Sequence, residues 1–358
     1  MIKVFDKIDT SDVKVEKIGP STFNYLFNGC KYSYLLGHTK NIDKRAILPS
    51  PKNTILGTII HSLFEKRIKG LIQSEKEFEE LWESELRKEE NKITQTYGIK
   101  DYSLADYDKM YAAMETAMKM PQVTNGSKAN VVNTHDSTSP ISVELPVETD
   151  CLIGKIDKVE RSNNSAKIID FKTGKIIDEE TGNIKEDYIV QLNLYSHMFE
   201  SAEGLKVSEL EIIDVDGNTY NVPLWPDTKL QNTLKAVREL IDDLNSNKGE
   251  LLAYPSEKCA FCSARMTCNH YWSSQYRIAS DDEDPTKVFE DKEVQVNSIV
   301  NRDVIEYKSG RIKGMSRFNE ELELGKTYRI RGLIFNGNNY EFGELYSTCE
   351  QSVVVELI

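Results

Sequence analysis

The stretch IIDFKTGK, residues 168–175, sets the strongest limit on how this chain can fold. Its apolar residues mark a buried strand, and a strand alternates its side chains between two faces. Asp170 and Lys172 therefore share a face with Ile168, while Ile169 and Phe171 take the other. A carboxylate and an amine side by side on such a strand are costly unless they pair or are put to use. Two readings follow. One is a structural ion pair at a strand end; the other is a metal ligand beside a catalytic lysine.

The surroundings place that strand in a mixed α/β arrangement. Three strand-like runs, ISVELPVE, CLIGKIDKVER and AKIIDFKTG, follow one another, and SNNS between the last two reads as a hairpin turn. Upstream, STFNYLFNGCKYSYLL predicts one helix over 21–36 with Ser21 as N-cap. TILGTIIHSLFEKRIKGLI predicts another, on which Gly57, His61 and Glu65 recur every four residues and share a face. Two charged amphipathic helices near 75–91 and 104–120 read as a helical insertion over about 66–130. Downstream, a helix around 187–201 carries Gln191 and Tyr195 one turn apart. A strand pair turning at Asp216-Gly217-Asn218 and a helix over 227–246 complete a first domain, residues 1–278. Residues 279–285 read as an acidic linker. In 286–358, five short strand-like runs with Gly and Asn turns predict a small β-barrel, OB-like.

The polar residues on these elements suit phosphodiester hydrolysis. That reaction needs an activated water, stabilised charge on the phosphate and help for the leaving oxygen, and carboxylate-held Mg²⁺ or Mn²⁺ supplies most of this. In order along the chain, GTIIH with Glu65, GKID, IIDFKTGK and QLNLY resemble the PD-(D/E)XK nucleases of the RecB-like group, over roughly residues 20–275. The resemblance implies a mixed sheet flanked by helices. It also implies that His61, Asp157 and Asp170 bind the metal, with the Phe171 carbonyl as a further ligand, and that Lys172 is the catalytic lysine. Gln191 and Tyr195 would position DNA or brace the site, and Glu144 is a weaker candidate on the preceding strand.

Of the six cysteines, Cys259, Cys262 and Cys268 are closely spaced and Cys30 lies far upstream. Four thiolates can hold a 4Fe–4S cluster or a structural zinc. The pattern resembles the iron–sulfur staple of the RecB-like subgroup that includes the CRISPR-associated exonucleases and the AddB nuclease domain. That resemblance implies a structural 4Fe–4S cluster tying the first helix to the end of the nuclease domain. Cys151 and Cys349 sit in strand patterns and read as buried thiols.

Hydrophobic residues make up 39% and charged residues 29% of the chain, which suits a globular fold with a real core. The net charge of -13 argues against a general nucleic-acid coat protein, but leaves room for an acidic metal site in a local basic groove. The N-terminus lacks the pattern of a signal peptide and no apolar run is long enough to span a bilayer, so the expected location is the cytoplasm, away from membranes. GKT at 325–327 lacks the upstream glycine of a phosphate-binding loop, so no ATPase is expected here. By the resemblance, the expected function is a metal-dependent exonuclease acting on single-stranded DNA or DNA ends. A helicase, recombinase or integrase partner would act in trans. The competing functions are a non-catalytic scaffold subunit and a zinc-bearing regulator. In the barrel, Tyr328, Phe335, Tyr340 and Phe342 are candidates for base stacking or for the core, and Arg329, Arg331 and the 310–314 segment for local positive charge.

Overall fold

The computed structural model describes residues 2–5, 7–97, 103–122, 140–246, 248–280, 288–318, 322–349 and 352–358. In chain order come β1 (Lys3–Val4), α1 (Pro20–Phe27), α2 (Lys31–His38), α3 (Lys52–Ile68), α4 (Glu75–Tyr97) and α5 (Tyr107–Lys119). They are followed by β2 (Ile141–Glu148), β3 (Ile153–Arg161), β4 (Ala166–Lys172), α6 (Glu186–Glu203), β5 (Val207–Asp214), β6 (Thr219–Val222) and α7 (Asp227–Asn245).

Strands β2 to β6 form one sheet in sequence order. All neighbours are antiparallel except β4 and β5. Parallel strands need a crossover, and α6 provides it before ending at Gly204, whose φ of 69° suits a left-handed helix stop. Apolar residues on both faces of β4 make it a buried central strand. Ile168 packs into a core that includes Phe23, Leu194, Phe199 and Val237 from α1, α6 and α7. Ile169 and Phe171 pack into a second core with Leu63, Phe64, Trp82 and Met110 from α3, α4 and α5. The sheet is thus a middle layer between two helical layers. Among the described residues, no helix is long and apolar enough to cross a membrane.

The single helix expected over 21–36 is two. α1 begins after Gly19 with Pro20 in its first turn, so Ser21 is not the cap. The break falls at Asn28-Gly29-Cys30, and Cys30 becomes the N-cap residue of α2. A side chain at position 29 would place its Cβ 2.2 Å from the Tyr25 carbonyl oxygen, so only glycine fits the corner.

The remaining elements are α8 (Asn269–Trp272), β7 (Ile278–Ser280), β8 (Val288–Gln295), β9 (Ser298–Asn301), β10 (Val304–Tyr307), β11 (Gly310–Lys313), β12 (Thr327–Asn339), β13 (Gly343–Ser347) and β14 (Val353–Leu357). Here the sequence expectation of five strands falls short, because among the described residues nine strands join this sheet and one of them is β1. β1 runs parallel to β14, pairing Lys3 with Glu356 and Val4 with Leu357. The expected split at residue 278 is therefore crossed from both sides, by β1 and by β7, which pairs with β8. Strands of two or three residues carry no periodic signal of their own; only their pairing makes them strands. The expected linker DDEDP and parts of the expected helical insertion, 98–102 and 123–130, lie outside the described residues.

Long strand β12 organises this sheet. It pairs along one edge with β8 and along the other with β14 and then β13. β13 pairs with β11 in parallel, β11 with β10 and β10 with β9, which only Val296 and Asn297 separate from β8. Tyr328 is 1% exposed in the core of this unit. Arg329, expected as surface charge, is buried and donates to Glu293 and to the Met266 carbonyl. Tyr340, by contrast, is fully exposed.

Candidate active site

The sheet opens where β3 and β4 stop pairing. The β3–β4 ladder ends at Lys158 and Ile169, so Asp157 and Asp170 lie just beyond the last pair, where the strands part. The β2–β3 ladder pairs Val143 with Lys158 and Leu145 with Ile156, passing over Glu144 opposite Asp157. Glu144 has a φ of 52°, a strained conformation for a residue with a side chain, and such strain concentrates at functional sites.

Freed from the ladder, the main chain turns to side chains. The Phe171 N–H donates to Asp157 Oδ2 at 2.8 Å. His61, from the middle of α3, brings Nδ1 to 3.3 Å from the same oxygen, and its ring meets the Phe171 ring edge-on. On β4, Lys172 Nζ lies 2.7 Å from Asp170 Oδ2 and donates to Gln191 Oε1 at 3.1 Å. Gln191 Nε2 in turn donates to Asp170 Oδ1 at 3.1 Å. The amide of Gln191 thus spans the acid and the amine of one strand. Lys172 also lies 5.0 Å from the centre of the Tyr188 ring, one turn earlier on α6.

Electrostatics separate the two carboxylates. Burial pushes Asp170 up to about 6, with the Asp157 charge adding to the effect and Lys172 partly offsetting it. Burial acts on Asp157 too, but the His61 hydrogen bond and charge and the Phe171 N–H outweigh it and hold the group below its ordinary value. Burial pulls His61 and Lys172 down, yet the carboxylates they face hold both above their ordinary values. Two carboxylates of unlike character, each with a cationic partner, are a common arrangement in catalytic centres.

The network lies at the wall of an open cleft of about 970 Å³, lined among others by Gly57, His61, Glu65, Glu144, Lys172 and Gln191. Gly57, His61 and Glu65 do share the face of α3 that looks into it. Glu65 is paired with Lys69 and Glu144 with Lys155. Tyr195 does not line the cleft. It is buried behind the site, against Gly154 of GKID, where an added Cβ would lie 2.9 Å from the ring. Gly154→Ala should therefore push Tyr195, and with it α6 and Gln191, away from Lys172. A loss of catalytic rate on the order of 100-fold with an unchanged circular dichroism spectrum is the expected result. Tyr188 escaped the sequence reading, although its place three residues before Gln191 on one helix face was a usable signal.

The donor set suits a hard divalent cation: carboxylates, a carbonyl-bearing strand end and one imidazole. Asp170 Oδ2 is buried and has no well-directed hydrogen bond, although Lys172 stands close to it. Among the described residues, no three His, Cys, Asp or Glu side chains converge as a ready ligand group. His61 is turned into its pair with Asp157, and the Lys172 ammonium takes the position beside Asp170 where a cation would relieve the charge.

Residues 20–269 match the sequence profile of the PD-(D/E)XK nuclease superfamily. The chain belongs to that superfamily. No curated protein matches it. Membership in the PD-(D/E)XK superfamily implies hydrolysis of phosphodiester bonds in DNA, assisted by Mg²⁺ or Mn²⁺.

A second group lies apart from this cleft. Cys30, Cys259, Cys262 and Cys268 line one small cavity together with Tyr25, Leu36 and Tyr271. Burial pushes the Cys262 thiol up to about 12 and Cys268 to about 11, with the neighbouring cysteines adding to both, and Cys259 is raised as well. Backbone N–H groups point at the sulfurs: Tyr254 to Cys30 at 3.3 Å and Ser256 to Cys259 at 3.4 Å. Thiols are weak acceptors, whereas thiolates and metal-bound sulfurs are good ones, but among the described residues the four cysteines, like the cleft residues, do not converge as a ready ligand group. Of the other two cysteines, Cys151 is buried as expected, while Cys349 is only half-buried and donates to the Gly332 carbonyl.

Proposed function

We propose that this nuclease is an exonuclease that degrades single-stranded DNA or DNA from its ends. The observation that carries the reading is the continuous polar network from His61 through Asp157 and Phe171 to Asp170, Lys172 and Gln191, at the wall of one open cleft of about 970 Å³. Asp170, Asp157 and His61, with the Phe171 carbonyl, would hold the divalent ion. That ion, when bound, supplies positive charge to the phosphate and lowers the pKa of a water. Lys172 is placed to orient the attacking water and to offset charge on the phosphate. With the Asp170 charge engaged by a cation, Lys172 loses the partner that holds it protonated and shifts toward a proton acceptor. Gln191 fixes Lys172 from behind, the Tyr188 ring faces its ammonium group, and Tyr195 sets the depth of α6 against β3.

The four cysteines would hold a 4Fe–4S cluster, with zinc as the competing occupant, and the buried pocket with its N–H donors supports either. The unit formed by β8 to β13 is read as OB-like. Support comes from its strand order, with β8 and β9 as the first strand, the parallel β11–β13 pair, and β12 returning to β8. Exposed Tyr340 and the stacked pair of Arg311 and Phe342 would contact bases there. A helicase, recombinase or integrase acting in trans would supply the strand.

The test is Mn²⁺-dependent degradation of end-labelled single- and double-stranded DNA by wild type and Lys172→Ala. Wild type is expected to release label progressively, with the preferred labelled end giving the polarity, and the variant to be slower by about 10³-fold or more. Internal cuts in closed circular DNA at a comparable rate would refute the exonuclease assignment. Equal rates for the two proteins would refute the site.

A further inference from the structure

A groove of about 510 Å³ lies between α1, α6 and α7 and shares no lining residue with the cleft. Each helix gives it one apolar side chain: Phe23 from α1, Val190 from α6 and Ala236 from α7. Two further rings line it. Phe27 is 52% exposed, with its ring 5.1 Å from that of Phe23, and Trp225 stands half-buried just before α7.

The walls are fixed in advance. Asn193 of α6, 4% exposed, accepts from the Trp225 N–H at 2.8 Å. Its amide donates to the Pro223 carbonyl at 3.1 Å and to the Ile189 carbonyl at 2.9 Å, so the segment leading into α7 is clamped onto α6. Asn24 Nδ2 donates to the Asp187 carbonyl at 2.6 Å and ties α1 to the first turn of α6. A partly exposed tryptophan held by its backbone in a preformed groove gives up little freedom on binding, which makes such a ring an anchor.

Charge selects the occupant. Glu186 and Asp187 line the groove, and Lys229 is the single cation that does so among the described residues. Lys229 is taken: its ammonium lies 3.0 Å from Glu186 and 4.4 Å from the centre of the Trp225 ring. The exposed Asp187 carboxylate has no hydrogen bond or ion pair among the described residues. A DNA phosphate would meet two carboxylates and no unengaged cation here, so the groove does not suit the substrate. Apolar side chains flanked by Lys or Arg suit both its floor and its charge. The net charge of -13 favours the approach of a cationic partner. All three walls are helices and offer no strand edge, so the fitting segment is one that satisfies its own backbone, as a helix does.

We propose that this groove docks an amphipathic helix of a partner protein, with apolar side chains one turn apart against Phe27 and Trp225 and with Lys or Arg beside Asp187. The proposal does not depend on the nuclease reading.

The test is fluorescence anisotropy of the full chain with a labelled helical peptide of about four turns, Leu at i and i+4 spacing on one face and Lys on the other. A peptide with Glu in place of Lys should bind about tenfold more weakly or worse. Trp225→Ala should weaken binding of the Leu/Lys peptide about tenfold. Asp187→Lys, at an exposed position, should weaken it a few-fold and flatten its salt dependence, so the proposal stays testable if the Trp225 variant folds poorly. Glu115→Lys on α5 makes the same charge reversal elsewhere and should bind like wild type. Affinity for a single-stranded oligonucleotide should be unchanged in both groove variants. No binding of the Leu/Lys peptide, or equal binding by wild type and both groove variants, would overturn the proposal. So would oligonucleotide affinity that falls in Trp225→Ala, which would make this a nucleic-acid surface. A concentration-dependent dimer that Trp225→Ala abolishes would make a second copy of the chain the occupant and overturn it likewise.

Discussion

Asp170→Asn should make the metal-free protein more stable at neutral pH while removing its nuclease activity. The folded state raises Asp170 from 3.8 to about 6, so the fold holds a proton there that the unfolded chain has released. The sign follows from linkage. The contribution of this group is fully present below about pH 4 and is lost as pH rises through about 6. A difference of about two pKa units corresponds to about 3 kcal/mol. Asparagine mimics the protonated acid and keeps the Gln191 partner, so it should recover much of that loss. The expected result, in EDTA, is a higher melting temperature for Asp170→Asn than for wild type above about pH 7, with the gap closing toward about pH 4. Added Mn²⁺ should raise the wild-type melting temperature and leave the variant unmoved. A variant less stable than wild type at neutral pH would show that the Lys172 pair outweighs the cost of burying the charge.

The second large effect concerns the cysteine pocket. Cys30→Ala should abolish incorporation of the bound group and lower the melting temperature by ~10 °C. In the proposed reading, a group bridging Cys30 and Cys259 would close a loop of more than two hundred residues, worth about 5 kcal/mol in the chain-entropy account. The raised thiols add to it, since stripping the pocket of a cation leaves them as buried, poorly paired groups. Visible absorbance and metal content of anaerobically purified protein, measured beside the melt, separate iron–sulfur from zinc. An unchanged melting temperature in Cys30→Ala would remove the structural role from this pocket.

Much of the nuclease core was readable from the chain. β2, β4, α6 and α7 form within two residues of where apolar alternation and helical spacing put them. His61, Asp157, Asp170, Lys172 and Gln191 meet in one network because each lies on an element with a strong periodic signal. What stayed hidden depends on contacts between distant segments. The broken first helix needs the Tyr25 carbonyl to exclude a side chain at Gly29, which no local propensity reports. Strand β1 needs β14, three hundred and fifty residues away, to be a strand at all. The burial of Arg329 was unreadable for the same reason, because its partners Glu293 and Met266 come from other elements. Glu144 looked secondary in sequence; its strained backbone opposite Asp157 makes it a stronger member of the site.

The pairing of β1 with β14 has a mechanical side. Val4 O accepts from the Ile358 N–H and Ile2 O from the Glu356 N–H, so both chain ends are held in one short parallel ladder. A force that pulls the two ends in opposite directions would load this ladder before any other part of the molecule. Because the two strands run parallel, the load is shared across the bonds in shear rather than peeling them one at a time. The same geometry brings the ends close enough for a short peptide to join them, so a circularly permuted chain opened elsewhere on the surface should retain the fold.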